Sequence, residues 1–278
     1  MNKPKLSLRE AGMMITIGAQ GCGKTYQNMY VIASYVRDNV KTRVRGRKCL
    51  IFDTNGEYTE TQFAENGIPN FNVRKLALKD VGAWSQSDTK ECRRIDAKSL
   101  SIPEKKEVLK YLIKWFRNGL LVLEDINTYI LSMTHMEDIV GGLVNLRHRV
   151  VDVLISYQRF RSVEPIILAN SRWVRLHYQT DHINSVKEKV SSPEMFRIAQ
   201  TIIENKYFSG DKRVFLYLYV LENKMEGIYT VPEFELACKE YLSVNKTIIK
   251  DHQQAHSCTS DVAVIEKVKR YKAMFHDK

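Results

Sequence analysis

Apolar and polar positions alternate along this chain in blocks that switch between two periods. Met13–Ile17, Cys49–Phe52, Leu120–Leu123 and Val150–Ser156 are short apolar runs of the kind that form strands buried on both faces. Between them lie helical spacings: Tyr26, Met29, Tyr30, Ile32, Ala33 and Val36, then Val108, Leu109, Leu112, Ile113, Trp115 and Phe116 after a helix-opening Pro103. A further helix is predicted over 135–148. Trp173–Tyr178 and Val214–Val220 read as strands, 181–206 as helical, and Val231–Leu242 as a short helix. Residues 59–101 break the rhythm and read as an insertion with one or two short strands. The remainder, 243–278, reads as a basic, mobile or partner-docked tail with an amphipathic helix at 261–275. Strands alternating with helices predict an α/β fold, a mainly parallel central sheet with helices on both faces. One domain over 1–242, extended after about 185, would carry it.

The first strand runs into Gly18, Ala19, Gln20, Gly21, Cys22, Gly23, Lys24 and Thr25, which fill every fixed position of G-x-x-x-x-G-K-[ST]. Glycines at 18, 21 and 23 let backbone N–H groups turn into one concavity that holds phosphate oxygens, and the following helix adds its positive end. Lys24, expected on a solvent-open loop, reaches the β- and γ-phosphates, and the Thr25 hydroxyl ligates Mg²⁺. This pattern in a strand–loop–helix context is a nucleoside triphosphate site, with ATP and Mg²⁺ as the expected cofactors and an ASCE-type P-loop NTPase as the expected fold.

Other polar groups fall at predicted strand ends, where such sheets bind ligands. Leu120–Leu123 runs into Glu124 and Asp125, the Walker B arrangement. By position Glu124 takes the metal role and Asp125 the water-polarising role. The order is Glu-Asp where Asp-Glu is commoner, and Asp is one methylene shorter, so the division between them stays open. Gln158 ends a strand expected beside the phosphate-loop strand and suits a γ-phosphate sensor; the alternative is an ordinary loop amide. Asp53 and Glu57, at and beyond the second strand, are further site candidates. Arg147, His148, Arg149, Arg159 and Arg161 flank the Gln158 strand. Arg147 and Arg159 are the candidates for a catalytic arginine given to a neighbouring subunit, both expected at the strands' carboxyl edge. The other reading makes these surface arginines at helix ends.

Charge widens the picture. With 43 Lys and Arg against 32 Asp and Glu, the net charge is +11 and the pI about 9.3, which favours a polyanionic partner. Residues 37–48 hold six basic side chains and one acidic, either a solvated loop or a phosphate-backbone contact. The five cysteines show no C-x-x-C pair and no zinc spacing, which fits free thiols in a reducing compartment. No signal-peptide core and no membrane-length apolar run stands out, so a soluble protein is expected.

Asp53, Gly56, Glu57 and Tyr58 after the second strand, Glu124-Asp125, and Ile155–Arg159 together resemble the HerA/FtsK superfamily of DNA-pumping ATPases. The resemblance spans about 10–185. Within that superfamily the compact chain, the Arg147-His148 pair and the segment from Asn170 through Arg175 and His177 look most like genome-packaging ATPases of viruses with double jelly-roll capsids. The resemblance implies a homo-oligomeric hexameric or pentameric ring that hydrolyses ATP to move nucleic acid, DNA above all. It also implies a capsid or vertex protein as partner and a place in the host cytoplasm or on the virion. Carried over by position, Gly18 to Thr25 bind phosphates, Glu124 and Asp125 handle Mg²⁺ and water, and Gln158 senses phosphate. Arg147 or Arg159 would act across the subunit interface, with Arg147 favoured. The similar Zot-like phage ATPases imply an alternative, an assembly ATPase working at a membrane through a partner. A nucleotide-gated structural component of a vertex is a third reading. A small-molecule kinase, the fourth, leaves the Asp53–Tyr58 turn and Gln158 without a role.

Overall fold

The computed structural model describes residues 11–130, 137–183 and 187–277. The chain divides into two compact units, Met1–Thr16 with Gly23–Gln158, and Ile17–Cys22 with Arg159–Lys278.

The first unit is built on the strands β1 (Met13–Ile17), β2 (Lys48–Asp53), β3 (Val73–Lys75), β4 (Cys92–Asp96), β5 (Gly119–Leu123) and β6 (Val151–Tyr157). Their order is β3-β4-β2-β5-β6-β1, and the pairs β3–β4, β4–β2, β2–β5 and β5–β6 are all parallel. Every residue of β1, β2, β5 and β6 is buried, the signature of strands covered on both faces. The strand bearing Gln158 does lie beside the phosphate-loop strand. Helices α1 (Lys24–Val36), α2 (Glu60–Glu65), α3 (Val81–Gln86), α4 (Ile102–Trp115) and α5 (Glu137–Asn145) connect the strands. Pro103 sits in the first turn of α4, where Glu104 accepts from both the backbone N–H and the hydroxyl of Ser101. Of the helix expected over 135–148, residues 137–145 form α5, 146–149 form a 3₁₀ turn, and 135–136 lie outside the described residues.

The segment expected as an insertion supplies β3 and β4. Because β4 pairs with β2 over Cys49–Asp53 and Cys92–Asp96, this stretch is part of the sheet. The basic segment 37–48 fits the solvated-loop reading only in part, since its last two residues serve neither solvent nor a phosphate backbone. Arg47 and Lys48 are buried and bonded inside the unit, Arg47 to Asp152, Asn118 and the Val150 carbonyl, and Lys48 to the carbonyls of Trp84, Ser85 and Ser87. Burial pushes the Lys48 ammonium down to about 8. Lys41 and Arg43 remain exposed.

The second unit holds α6 (Pro165–Ala169), β7 (Ser171–His177), α7 (Pro193–Phe208), β8 (Phe215–Tyr219), β9 (Lys224–Gly227) and α8 (Val231–Val244), followed by α9 (Lys246–His256) and α10 (Ser260–Phe275). Its strands pair antiparallel, β7 with β8 and β8 with β9. The helical stretch expected from 181 is a 3₁₀ turn at 187–189 and then α7, with 184–186 outside the described residues. The segment read as a tail folds: Ala263, Val268, Tyr271 and Phe275 of α10 are buried, and Tyr271 packs edge-on against Tyr241 of α8. No described helix is long and apolar enough to cross a membrane.

Candidate nucleotide site

The loop after β1 is shaped by its glycines. A Cβ at Gly18 would lie 2.5 Å from Cys22 Sγ and 2.7 Å from His177 Cβ, so only glycine fits. Gly23, the N-cap of α1, has φ 90°, in the left-handed region that glycine adopts without strain. Within the second unit, the Ala19 N–H donates to the Tyr178 carbonyl at 2.8 Å, and His177 Nδ1 lies 3.1 Å from the Cys22 carbonyl. These contacts fix Gly18–Cys22 as a rigid turn.

Lys24, Thr25 and Asn28 lie on the first turns of α1. The loop expected to be solvent-open does expose Gln20 and Gly21, but Lys24 itself is buried, at 7% exposure. Thr25 Oγ1 donates to Glu57 Oε2 at 2.9 Å. Asn28 donates its two Nδ2 hydrogens to Glu124 Oε1 at 2.8 Å and Ser156 Oγ at 2.9 Å, with Tyr58 OH a longer, shared contact at 3.3 Å. Its Oδ1 accepts from Thr16 Oγ1 at 3.3 Å. Tyr58 also donates to Glu124. One buried amide therefore links the loop helix to the ends of β1, β5 and β6.

Burial pushes the Glu124 carboxyl up to about 6, and Asp125 adds to the rise. The hydrogen bonds from Tyr58 and Asn28 and the Lys24 charge oppose it. Burial and Glu124 push the Tyr58 hydroxyl well above its ordinary range, so Tyr58 stays a donor.

The two acids at the end of β5 face different surroundings. Glu124 is 2% exposed. Asp125 has φ 41° and ψ 48°, a left-handed conformation uncommon outside glycine, and this bend carries its carboxylate to the strand edge. There Asp125 Oδ2 accepts from Asn55 Nδ2 at 3.1 Å and Gln158 Nε2 at 3.0 Å.

Asp53 is fully buried and its oxygens are spent on the turn that follows. They accept from the N–H groups of Gly56 (2.8 Å), Glu57 (3.1 Å) and Tyr58 (3.2 Å), and from Arg94 at 2.8 Å. Asp53 thus holds Glu57 and Tyr58 in place. Thr25 Oγ1 and Glu57 Oε2, 2.9 Å apart, are adjoining oxygen donors of the kind Mg²⁺ takes, whereas Glu124 and Asp125 are bonded to other partners.

The arginines separate. Arg147 lies in the 3₁₀ turn before β6, at the amino end of a strand whose carboxyl end leads to Gln158, roughly 20 Å away at 3.3 Å per residue. This corrects its expected place at the carboxyl edge: the chain direction of a parallel strand puts whatever precedes it on the opposite edge. Arg149 donates to the Ile113 and Lys114 carbonyls at the end of α4. Arg161 pairs with Asp181 within the second unit. Arg159 follows Gln158 directly and is exposed, as is His148. Asn28 escaped the sequence reading, and Asn55, Tyr58 and Ser156 entered it only inside the quoted motifs, with no site role. Asn28, one helical turn after Lys24 on the same face, was the one with a usable signal.

Among solved structures, the chain is similar to the genome-packaging NTPase B204 from Sulfolobus turreted icosahedral virus 2. The complex with AMP matches at 15% identity, covering 78% of this chain and 96% of that one, with a TM-score of 0.49. The complex with AMPPCP matches at 15%, covering 80% and 100%, with a TM-score of 0.48. The N-terminal domain of zonular occludens toxin from Neisseria meningitidis follows at 14%, covering 60% and 77%, with a TM-score of 0.32. No protein-family model and no curated protein matches the chain. Both groups named from the motifs, viral packaging ATPases and Zot-like proteins, are thus represented among its structural neighbours. At these identities and TM-scores the likeness carries nothing about activity, which rests on the residues above.

Proposed function

We propose that the chain binds ATP in the 18–25 loop and hydrolyses it, and that it works as a homo-oligomeric ring moving nucleic acid in viral genome packaging. The observation that carries the hydrolytic reading is the pairing of Thr25 with Glu57 and of Asp125 with Gln158 around Glu124, in the unit whose α1 begins with Lys24. The loop N–H groups and Lys24 would take the phosphates. Thr25 and Glu57, with Glu124 behind them, would hold Mg²⁺, which when bound neutralises charge on the phosphate oxygens. Asp125, aimed by Asn55 and Gln158, polarises the water that attacks the γ-phosphorus. The bond to the β–γ bridging oxygen breaks, and ADP and phosphate leave. Gln158, bonded to Asp125, would report the γ-phosphate.

The nucleic-acid and ring parts are supported by the +11 charge and by the ordered set of motifs from Gly18 to Arg159. Placement favours Arg159 over Arg147 as the arginine given to a neighbour, because it is exposed next to Gln158. The test is ATP hydrolysis with and without single- and double-stranded DNA, with particle size followed in parallel. Turnover should vanish in Lys24→Ala, rise with DNA, and track a ring-sized species. Mixing Lys24→Ala with Arg159→Ala subunits should restore part of the activity. Turnover indifferent to DNA would leave an assembly ATPase, and turnover unchanged in Lys24→Ala would end the proposal.

A further inference from the structure

In the second unit, α9 and α10 form a helical hairpin joined through Ser257 (φ 52°), Cys258 and Thr259. α9 has 11 residues and buries only Ile249. A helix of that length does not persist on its own propensity, so contacts to its neighbours must hold it. The polar contact across the hairpin is His252 Nε2 to Glu266 Oε2, at 2.7 Å. Cys258 Sγ completes the group: the donor atoms of His252, Cys258 and Glu266 all lie within 4.8 Å of one another. His256, one turn along α9, has its ring centroid 4.4 Å from that of His252.

We propose that His252, Cys258 and Glu266 form a Zn²⁺ site that staples α9 to α10, with His256 or a water in the fourth position. Imidazole nitrogen, thiolate sulfur and carboxylate oxygen are the three donor types zinc takes, whereas Mg²⁺ and Ca²⁺ take oxygen. Around a tetrahedral ion at 2.0–2.3 Å, donors sit roughly 3.5 Å apart, so this group needs to adjust by about 1 Å, which side-chain torsions supply. The His252–Glu266 hydrogen bond already brings two ligands together. Cys258 binds by releasing its S–H proton to solvent. Two histidines at i and i+4 on one helix face are a familiar zinc chelate. The sequence alone hid the site, because only one cysteine takes part and its partners come from two helices.

The full-length protein titrated with Co²⁺, as an optical stand-in, and then with Zn²⁺ tests this. One equivalent of Co²⁺ should give a thiolate charge-transfer band that one equivalent of Zn²⁺ bleaches, and Zn²⁺ should raise the unfolding midpoint. The oxygen donors of the proposed nucleotide site cannot produce that band, so failure here leaves the ATPase reading untouched. Cys258→Ser should abolish the band. His252→Ala and the milder Glu266→Gln should each weaken Zn²⁺ binding more than about tenfold, the scale at which even outer-shell changes register. Absence of the band, its survival in Cys258→Ser, or Zn²⁺ affinity unmoved by either other variant would overturn the site.

Discussion

The Asn28 amide donates to Glu124 across 2.8 Å, although 96 residues separate them in the chain. The same nitrogen serves Ser156 and Tyr58, so a shift of α1 would be felt at three strand or turn positions at once. Such a buried network is stable only when every member is paired.

Asn28→Ala leaves Glu124 and Ser156 each short of a buried partner. It should cost on the order of 1–3 kcal/mol in stability. If Asn28 positions Glu124 for turnover, kcat should fall about tenfold or more while ATP affinity changes little. Urea unfolding and steady-state ATPase kinetics read the two effects separately, and an unchanged kcat would confine Asn28 to a structural role.

The Glu124 carboxyl, raised from 4.5 to about 6, is a liability in the folded state at neutral pH. The folded chain holds the proton more tightly than the unfolded one. Stability therefore falls as pH rises from about 4.5 to about 6 and stays lower above it. A carboxyl held at about 6 instead of 4.5 corresponds to about 2 kcal/mol. Glu124→Gln, which keeps an acceptor for Tyr58 and Asn28, should be more stable than the parent by about that amount at pH 8, and equal to it near pH 4. The same variant should bind Mg·ATP more weakly. Unfolding curves across this pH range, without nucleotide, check the first statement; nucleotide titration with Mg²⁺ checks the second.

Glu57 and Asp125 should separate by phenotype. Glu57→Gln removes the carboxylate beside the Thr25 hydroxyl and should raise the Mg²⁺ concentration needed for half-maximal turnover. Asp125→Asn should retain Mg·ATP binding while turnover drops about 10²-fold or more, the usual scale for a general base. The opposite pattern would exchange the two roles.

Asp53→Asn tests the turn that carries Glu57. Losing the charge leaves Arg94, buried beside it at 2.8 Å, with only the longer 3.7 Å pairing to Asp96, and weakens three backbone contacts. Leaving a buried charge wholly unpaired costs about 3–5 kcal/mol, and the remaining Asp96 pairing should hold the loss below that. Thermal unfolding should show the loss. Because Glu57 would then drift from Thr25, the Mg²⁺ dependence should move in the direction seen for Glu57→Gln.

Local spacing determined the phosphate loop. Gly18, Gly23, Lys24 and Thr25 act as a contiguous unit whose geometry depends on backbone freedom and the helix start, both written within a few residues. The buried strands ending in Asp53, Leu123 and Tyr157 were legible for a similar reason, since apolar runs broken by a polar residue mark where a covered strand reaches the sheet edge. β9 and α9 were not, because one is a four-residue strand paired only with β8 and the other buries a single side chain, so neither leaves a periodic signal. Tertiary structure alone decided which groups meet. Nothing near Thr25 in the sequence selects Glu57, and nothing near Glu124 selects Asn28 or Tyr58. These partners are chosen by sheet order and by the turn that Asp53 and Arg94 clamp. Tertiary direction also parted Arg147 from Arg159: a parallel strand carries its two flanking segments to opposite edges, however close they lie in the chain.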